Sequence, residues 1–238
     1  MRVAVLDLGM GNLHSVAKAL VAAGADVALT SQPADLDGCD GLCVPGQGIF
    51  SMCAERLATS GADGVVRSWI AEGRPYLGIC LGMQVLFDSS DEANPDSAPG
   101  EMESRLRPRR EGLTIPPSAR GTPISALAGG MPFRAMSGSP PRGGLGVVGG
   151  RVTRLPATVT VPHMGWNTVE GSNGPGEHYY FDHSYACHPA DESIVRGWCE
   201  HGERFAAWIQ QGSATAVQFH PEKSGRAGVE LLKRWVAT

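Results

Sequence analysis

The chain has 238 residues, of which 42% are hydrophobic and 18% charged, with a formal net charge of −4. That length is enough to bury a core without disulfides, and that charge excludes a general affinity for nucleic acid or anionic membrane. No apolar run is long enough to span a bilayer. Met1-Arg-Val-Ala-Val-Leu meets an acidic residue at Asp7, so the start reads as a first strand and not as a signal peptide. Six cysteines without a secretion signal are expected to be reduced thiols in the cytoplasm.

Arg2–Leu8 has the length and apolarity of a strand, followed by the turn Gly9-Met10-Gly11-Asn12. Leu13–Ala23 carries apolar residues at helical spacing (Leu13, Val16, Ala17, Leu20) and stops at Gly24. Ala25–Thr30 and Gly41–Val44 read as two more strands, the second running into Pro45-Gly46-Gln47-Gly48. Helices are predicted over Ile49–Thr59 and Gly64–Glu72, a strand over Pro75–Ile79 and a helix over Leu81–Asp88. Strands alternating with helices across short connections predict an α/β fold with a parallel sheet. Sites in such sheets lie off the carboxyl ends of the strands. Gly9–Asn12, Pro45–Gly48 and Cys80 should therefore share one edge. A dinucleotide fingerprint is excluded, because His14 stands where the third glycine belongs.

Residues 93–142 interrupt the pattern. They hold nine of the seventeen prolines, seven arginines and no lysine. Seven arginines minus four acidic residues give +3, against −7 for the rest. A segment this long with no sustained period reads as a flexible insertion within a single domain. An arginine-mediated partner contact and a small ordered subdomain are the other readings. From Gly144 the texture is β-rich, with strand-like runs at Arg151–Leu155, Val161–Asn167, Tyr179–Tyr185, Ile194–Cys199, Phe205–Ile209 and Thr215–Phe219. Ser224 is placed to cap a last helix, Arg226–Val236.

The chemistry centres on Tyr76–Phe87, Y-L-G-I-C-L-G-M-Q-V-L-F. A strand ending in Gly-x-Cys-x-Gly and passing at once into a helix is a nucleophile elbow whose nucleophile is Cys80. A thiol must lose its proton to attack, so Cys80 needs a base held by an orienting group. His220 ends a predicted strand in Gln218-Phe219-His220-Pro221-Glu222 and falls on the same edge. In an extended segment His220 and Glu222 point the same way, so Glu222 can hold one imidazole nitrogen while the other faces the sulfur. A metal site built from Cys187-His188 and Cys199-x-His201 lacks ligand spacing and is not expected. Cys39, Cys43 and Cys53 read as core or near-surface thiols.

G-I-C-L-G-M-Q with Q-F-H-P-E resembles the triad-type class I glutamine amidotransferases. D-L-G-M-G-N, V-P-H-M-G-W-N and Y-Y-F-D-H-S-Y narrow the resemblance to the glutaminase subunits of imidazole glycerol phosphate synthase, in histidine biosynthesis. The resemblance implies a flavodoxin-like mixed sheet flanked by helices, with a β-rich C-terminal half. It implies that Cys80 attacks the glutamine amide, that His220 serves as base and then acid, and that Glu222 orients it. The N–H of Leu81 is expected to be one oxyanion donor, with the second in the Pro45–Gly48 loop. There Gln47 stands where the family has valine. Gly48 and Gln84 are expected at the glutamine, and no cofactor or metal is implied. The implied partner is a (β/α)₈ cyclase subunit, forming a heterodimer, with Asn12, Met164, Trp166 and Lys223 at or near the interface. Lys223 is expected to pair with an acidic group of that partner. Plainer readings stay open for each: a solvent-facing Gln47, a helix-surface Gln84, a core Trp166 and a solvated Lys223. His163, Asn167, His183, Ser184 and Tyr185 are expected near the site without an assigned role. Another amidotransferase subunit, or a non-catalytic scaffold of this fold, are the competing functions.

Overall fold

The computed structural model describes residues 1–93, 143–171 and 174–238. The insertion expected at 93–142 thus lies, beyond Ala93, outside the described residues. The elements run β1 (Arg2–Leu6), α1 (Leu13–Ala22), β2 (Asp26–Thr30), β3 (Gly41–Gly46), α2 (Phe50–Ser60), α3 (Ala62–Ala71), β4 (Tyr76–Cys80), α4 (Leu81–Gln84) and β5 (Phe87–Ser90). After the insertion come β6 (Val148–Arg154), β7 (His163–Gly171), β8 (Gly174–His183), β9 (Tyr185–Pro189), β10 (Val195–Glu200), β11 (Arg204–Gln211), β12 (Ala214–Val217) and α5 (Gly225–Val236).

The strands form one mixed sheet in the order β2-β1-β3-β4-β12-β11-β10-β7-β8, with β5, β6 and β9 branching from it. The first four pairings in this order are parallel and the last four antiparallel. Because side chains alternate along a strand, β1 serves two cores. Ala4 and Leu6 pack with Phe50, Leu57, Val66 and Trp69 of α2 and α3. Val3 and Val5 pack with Val16 and Leu20 of α1 and with Leu231, Leu232 and Trp235 of α5. Helices therefore cover both faces of the parallel half, as the alternation of elements predicts. The registers Gly46↔Cys80 and Ile79↔Val217 bring the ends of β3, β4 and β12 side by side. This gathers the Pro45–Gly48 loop, Cys80 and His220 at one edge.

Three sequence expectations are corrected. The helix predicted over Leu81–Asp88 is one turn, Leu81–Gln84, followed by strand β5. Val85 and Leu86 give their carbonyls to Leu145, Val147 and Val148 of the returning chain, so the helical ladder stops. Every residue from Leu81 to Phe87 is buried, and an evenly apolar run has no period by which to tell helix from strand. The strand predicted over Tyr179–Tyr185 breaks at Ser184, whose carbonyl accepts from Leu155 N. Strand β8 stays on β7, whereas β9 crosses to β6 and β11. Finally, Ser224 stands at the start of α5 without capping it. Its hydroxyl donates to the His220 carbonyl at 2.6 Å and accepts from Tyr180 N at 3.0 Å.

Candidate active site

Cys80 has φ 54° and ψ −108° and is the one non-glycine residue with positive φ among the described residues. Such a backbone costs about 1–3 kcal/mol and persists where packing imposes it. Here the packing is legible. A Cβ on Gly82 would lie 1.8 Å from the Val44 carbonyl oxygen, and one on Gly78 would lie 2.6 Å from the Gly82 oxygen. The two glycines let β4, α4 and β3 close on one another, and the sharp turn at Cys80 results. Tyr76 Oη, buried beneath, donates to the Gly82 carbonyl at 2.8 Å. The sulfur-bearing residue is 6% exposed.

His220 follows β12 and its N–H donates to the Tyr180 carbonyl at 2.8 Å. Pro221–Lys223 forms a short 3-10 turn and not the extended segment expected, since Lys223 N bonds back to the His220 carbonyl. The turn still delivers the pairing: His220 Nδ1 lies 2.8 Å from Glu222 Oε1, both side chains 3% exposed. Glu222 accepts at Nδ1, which leaves Nε2 for Cys80. Nε2 has no hydrogen-bond partner among the described residues. Burial pulls the imidazole's pKa down from 6.5. Attraction to Cys80, then the hydrogen bond and charge of Glu222, outweigh that and raise it to about 10. The imidazolium is thus the favoured form, as a thiolate–imidazolium couple requires. Four other buried thiols are held protonated: burial pushes Cys53 and Cys199 up to about 12, and it raises Cys43 and Cys187 as well.

Gly11, Asn12, Pro45, Gly46, Gln47, Ile79, His220 and Glu222 line one cavity of about 10 Å³, barely a water's space. A larger cavity, about 90 Å³, lies between α2, α3 and Gly143–Leu145; none of the predicted site residues lines it, so its size carries no catalytic weight. The Gln47 side chain is half-buried and its Cβ and Cγ lie beside Gly11, while Gly48 is exposed. Asn12 is exposed and caps α1, its Oδ1 accepting from Ser15 N at 3.2 Å. Leu81 opens α4, and its Cβ closes on Gly46.

Gln84 is not on a helix surface. It is 4% exposed, and its Nε2 donates to the Tyr185 carbonyl at 3.1 Å and to Gln218 Oε1 at 3.0 Å. The same Tyr185 carbonyl accepts from His183 Nδ1 at 2.8 Å. Behind it Asn167 Nδ2 donates to His163 Nε2 at 3.1 Å, and His163 Nδ1 donates to His183 Nε2 at 3.0 Å. From Asn167 to the Tyr185 carbonyl the donors point one way, because Thr168 N fixes the Asn167 amide by donating to its Oδ1; Gln84 donates to that carbonyl from the other side. Both rings are neutral. Burial, then the neighbouring His201, lowers His163 to about 4, and burial, then His163, lowers His183 to about 3.

The four predicted interface residues lie on the outside of this edge. Met164 is 58% exposed and Trp166 57%, so Trp166 is not a core tryptophan. Trp166 meets Tyr180 edge-on across the β7–β8 pair. Lys223 pairs with Asp182 of its own chain at 3.7 Å and lies 5.4 Å from the Tyr180 ring, so it is not simply solvated. Sequence reasoning missed Glu92, whose Oε2 caps the first N–H of α2 at 2.7 Å and whose pKa burial raises. It also missed Tyr180 and Gln218. Gln218 carried a signal, lying two residues before His220 in the same motif, and Tyr180 lies within Y-Y-F-D-H-S-Y.

A strained cysteine at a strand–helix elbow and a buried His–Glu pair thus share the carboxyl edge of a flavodoxin-like sheet. The family Glutamine amidotransferase class-I matches residues 4–237. A solved structure titled a crystal structure of glutamine amidotransferase superposes with TM-score 0.66 over all of both chains at 19% identity, which supports the fold. The imidazole glycerol phosphate synthase subunit HisH of Leifsonia xyli is 36% identical over 99% of this chain and 98% of its own. The HisH of Nocardia farcinica is 37% identical over 98% and 96%. The chain belongs to the class I glutamine amidotransferases and, within them, to the HisH family.

Proposed function

We propose that this chain is the glutaminase subunit of an imidazole glycerol phosphate synthase and that Cys80, His220 and Glu222 are its triad. Cys80 as thiolate attacks the side-chain amide carbon of glutamine. His220 gives its Nε2 proton to the departing nitrogen, so ammonia leaves and a glutamyl thioester remains. His220 then takes a proton from water, which attacks the thioester and releases glutamate. Glu222 keeps the Nδ1 proton in place and stabilises the imidazolium. The Leu81 N–H and a donor from the Gln47 loop would receive the oxyanion, with Gly48 and Gln84 at the glutamine.

The ammonia is then passed to a cyclase subunit seated on the face that bears Asn12, Met164, Trp166 and Lys223. An exposed tryptophan packed on tyrosine is the anchor type that interfaces favour. On docking, Lys223 would exchange Asp182 for a carboxylate of the partner. The observation that carries the proposal is the buried Nδ1–Oε1 pair at 2.8 Å beside the strained Cys80. The test is glutamate release from the purified chain, alone and with its cyclase, for wild type and Cys80→Ala. The proposal expects release to rise with the cyclase and to vanish in the variant. Unchanged turnover in Cys80→Ala would end the triad assignment.

A further inference from the structure

Gln218 ends the hydrogen-bond chain at the nucleophile. Its residue is fully buried, and its Nε2 donates to Cys80 Sγ at 3.5 Å. The polarity of that amide is set by its surroundings. Tyr185 O can only accept, so the nitrogen of Gln84 faces it. The same nitrogen donates to Gln218 Oε1, which also receives the Cys187 thiol at 3.7 Å. With its oxygen claimed twice, Gln218 presents its N–H to Cys80. A flip would set acceptor against acceptor at one end and leave a buried donor unpaired at the other, which is costly.

On the reading that Cys80 is the nucleophile, we infer that Gln218 is a second, uncharged donor to the Cys80 sulfur, oriented by Gln84 and acting beside His220 to hold the thiolate. A thiol accepts hydrogen bonds weakly and a thiolate strongly, so an N–H fixed on the sulfur favours the deprotonated form. The donor also limits where the sulfur can lie, and so acts on its aim as well as its ionisation.

Among the described residues, His220, Cys53 of α2 and Cys187 of β9 interact with Cys80, with Glu222 behind His220. All of them remain in the test variants at position 218. Gln218→Met keeps length and burial but lacks the N–H. Gln218→Asn keeps an amide but draws it back by one carbon. Cys187→Ala removes a contact to Oε1 and leaves the N–H in place.

The probe is iodoacetamide, with the Cys80 adduct followed by peptide mass spectrometry across pH 5–10 on the full chain. A thermal melt of each variant reports the fold. The N–H contribution is expected to be about one pH unit. The alkylation midpoint should therefore rise by about one unit in Gln218→Met and in the same direction in Gln218→Asn. The rate at pH 6 should fall about tenfold, with no shift in Cys187→Ala. If the Met variant loses its cooperative melt, the Asn variant carries the test. Wild-type midpoints in the folded variants would overturn this inference and leave the triad standing. A wild-type Cys80 that resists alkylation at every pH would overturn both readings.

Discussion

Glu222→Gln is the most informative change at the His220 end of the site. The Nδ1–Oε1 bond is 2.8 Å long, with both side chains nearly sealed from water, so solvent screening is small. The amide oxygen can still accept from Nδ1, and its NH₂ would take the place of Oε2, which has no partner among the described residues. The tautomer survives and only the charge is lost. A buried bond to a charged group is worth about 1.5–3 kcal/mol and a neutral one about 0.5–1.5. The difference, about 1–1.5 kcal/mol, is about one unit in the His220 midpoint and about tenfold in kcat/KM.

The sign follows from the folded state. Cys80 and Glu222 hold the His220 pKa above its ordinary 6.5. That contribution to stability is fully present below pH 6.5 and is lost as pH rises toward about 10. The variant, its His220 midpoint about one unit lower, should therefore be less stable than wild type at pH 6, with the gap mostly closed by about pH 10. The assays are NMR titration of the imidazole resonances, with His220→Asn to assign the peak among seven histidines, and denaturant melts at both pH values. An unmoved His220 midpoint, or a stability gap that widens with pH, would refute this account of the pair.

Other outcomes follow from the same geometry. Gly82→Ala should cost about 3 kcal/mol or more, because its Cβ would meet backbone at 1.8 Å. For a chain of this size that is a fall in Tm of about 6–12 °C, and wild-type stability would mean that β3 and α4 separate freely. Trp166→Ala should leave Tm within about 2 °C, since the ring is exposed, yet weaken cyclase binding by about thirtyfold in titration calorimetry; equal affinity would remove Trp166 from the interface. His163 and His183 are buried neutral with pKa values lowered to about 4 and 3. Their contribution is complete above pH 6.5 and declines as pH falls, each by up to about 1.4 kcal/mol per unit. Replacing both with Gln should flatten the acid limb between pH 6.5 and 4, and an unchanged slope would assign that limb to other groups.

Much of the site was legible because its logic is local. Gly-x-Cys-x-Gly after an apolar run specifies the elbow, since only glycine fits where strand and helix close, and Cys80 bears the resulting strain. His220 and Glu222, two residues apart, found each other even though the backbone between them turned and did not extend. The alternation of strands and helices up to β4 was likewise readable, because each half-buried element carries its own period.

What followed β4 was not readable in that way. A run buried on all sides, Leu81–Phe87, has no period, so the chain returning at Leu145–Val148 decided where α4 ends and β5 begins. Ser184 divides two strands only because Leu155 takes its carbonyl. Lys223 reads as a free charge until β8 brings Asp182 beside it. The sequence by itself determined the turn at Cys80 and the pairing of His220 with Glu222. Only the tertiary structure decided what else touches the sulfur, because the Gln218–Cys80 contact joins positions 138 residues apart, and no periodicity or spacing rule reaches across that distance.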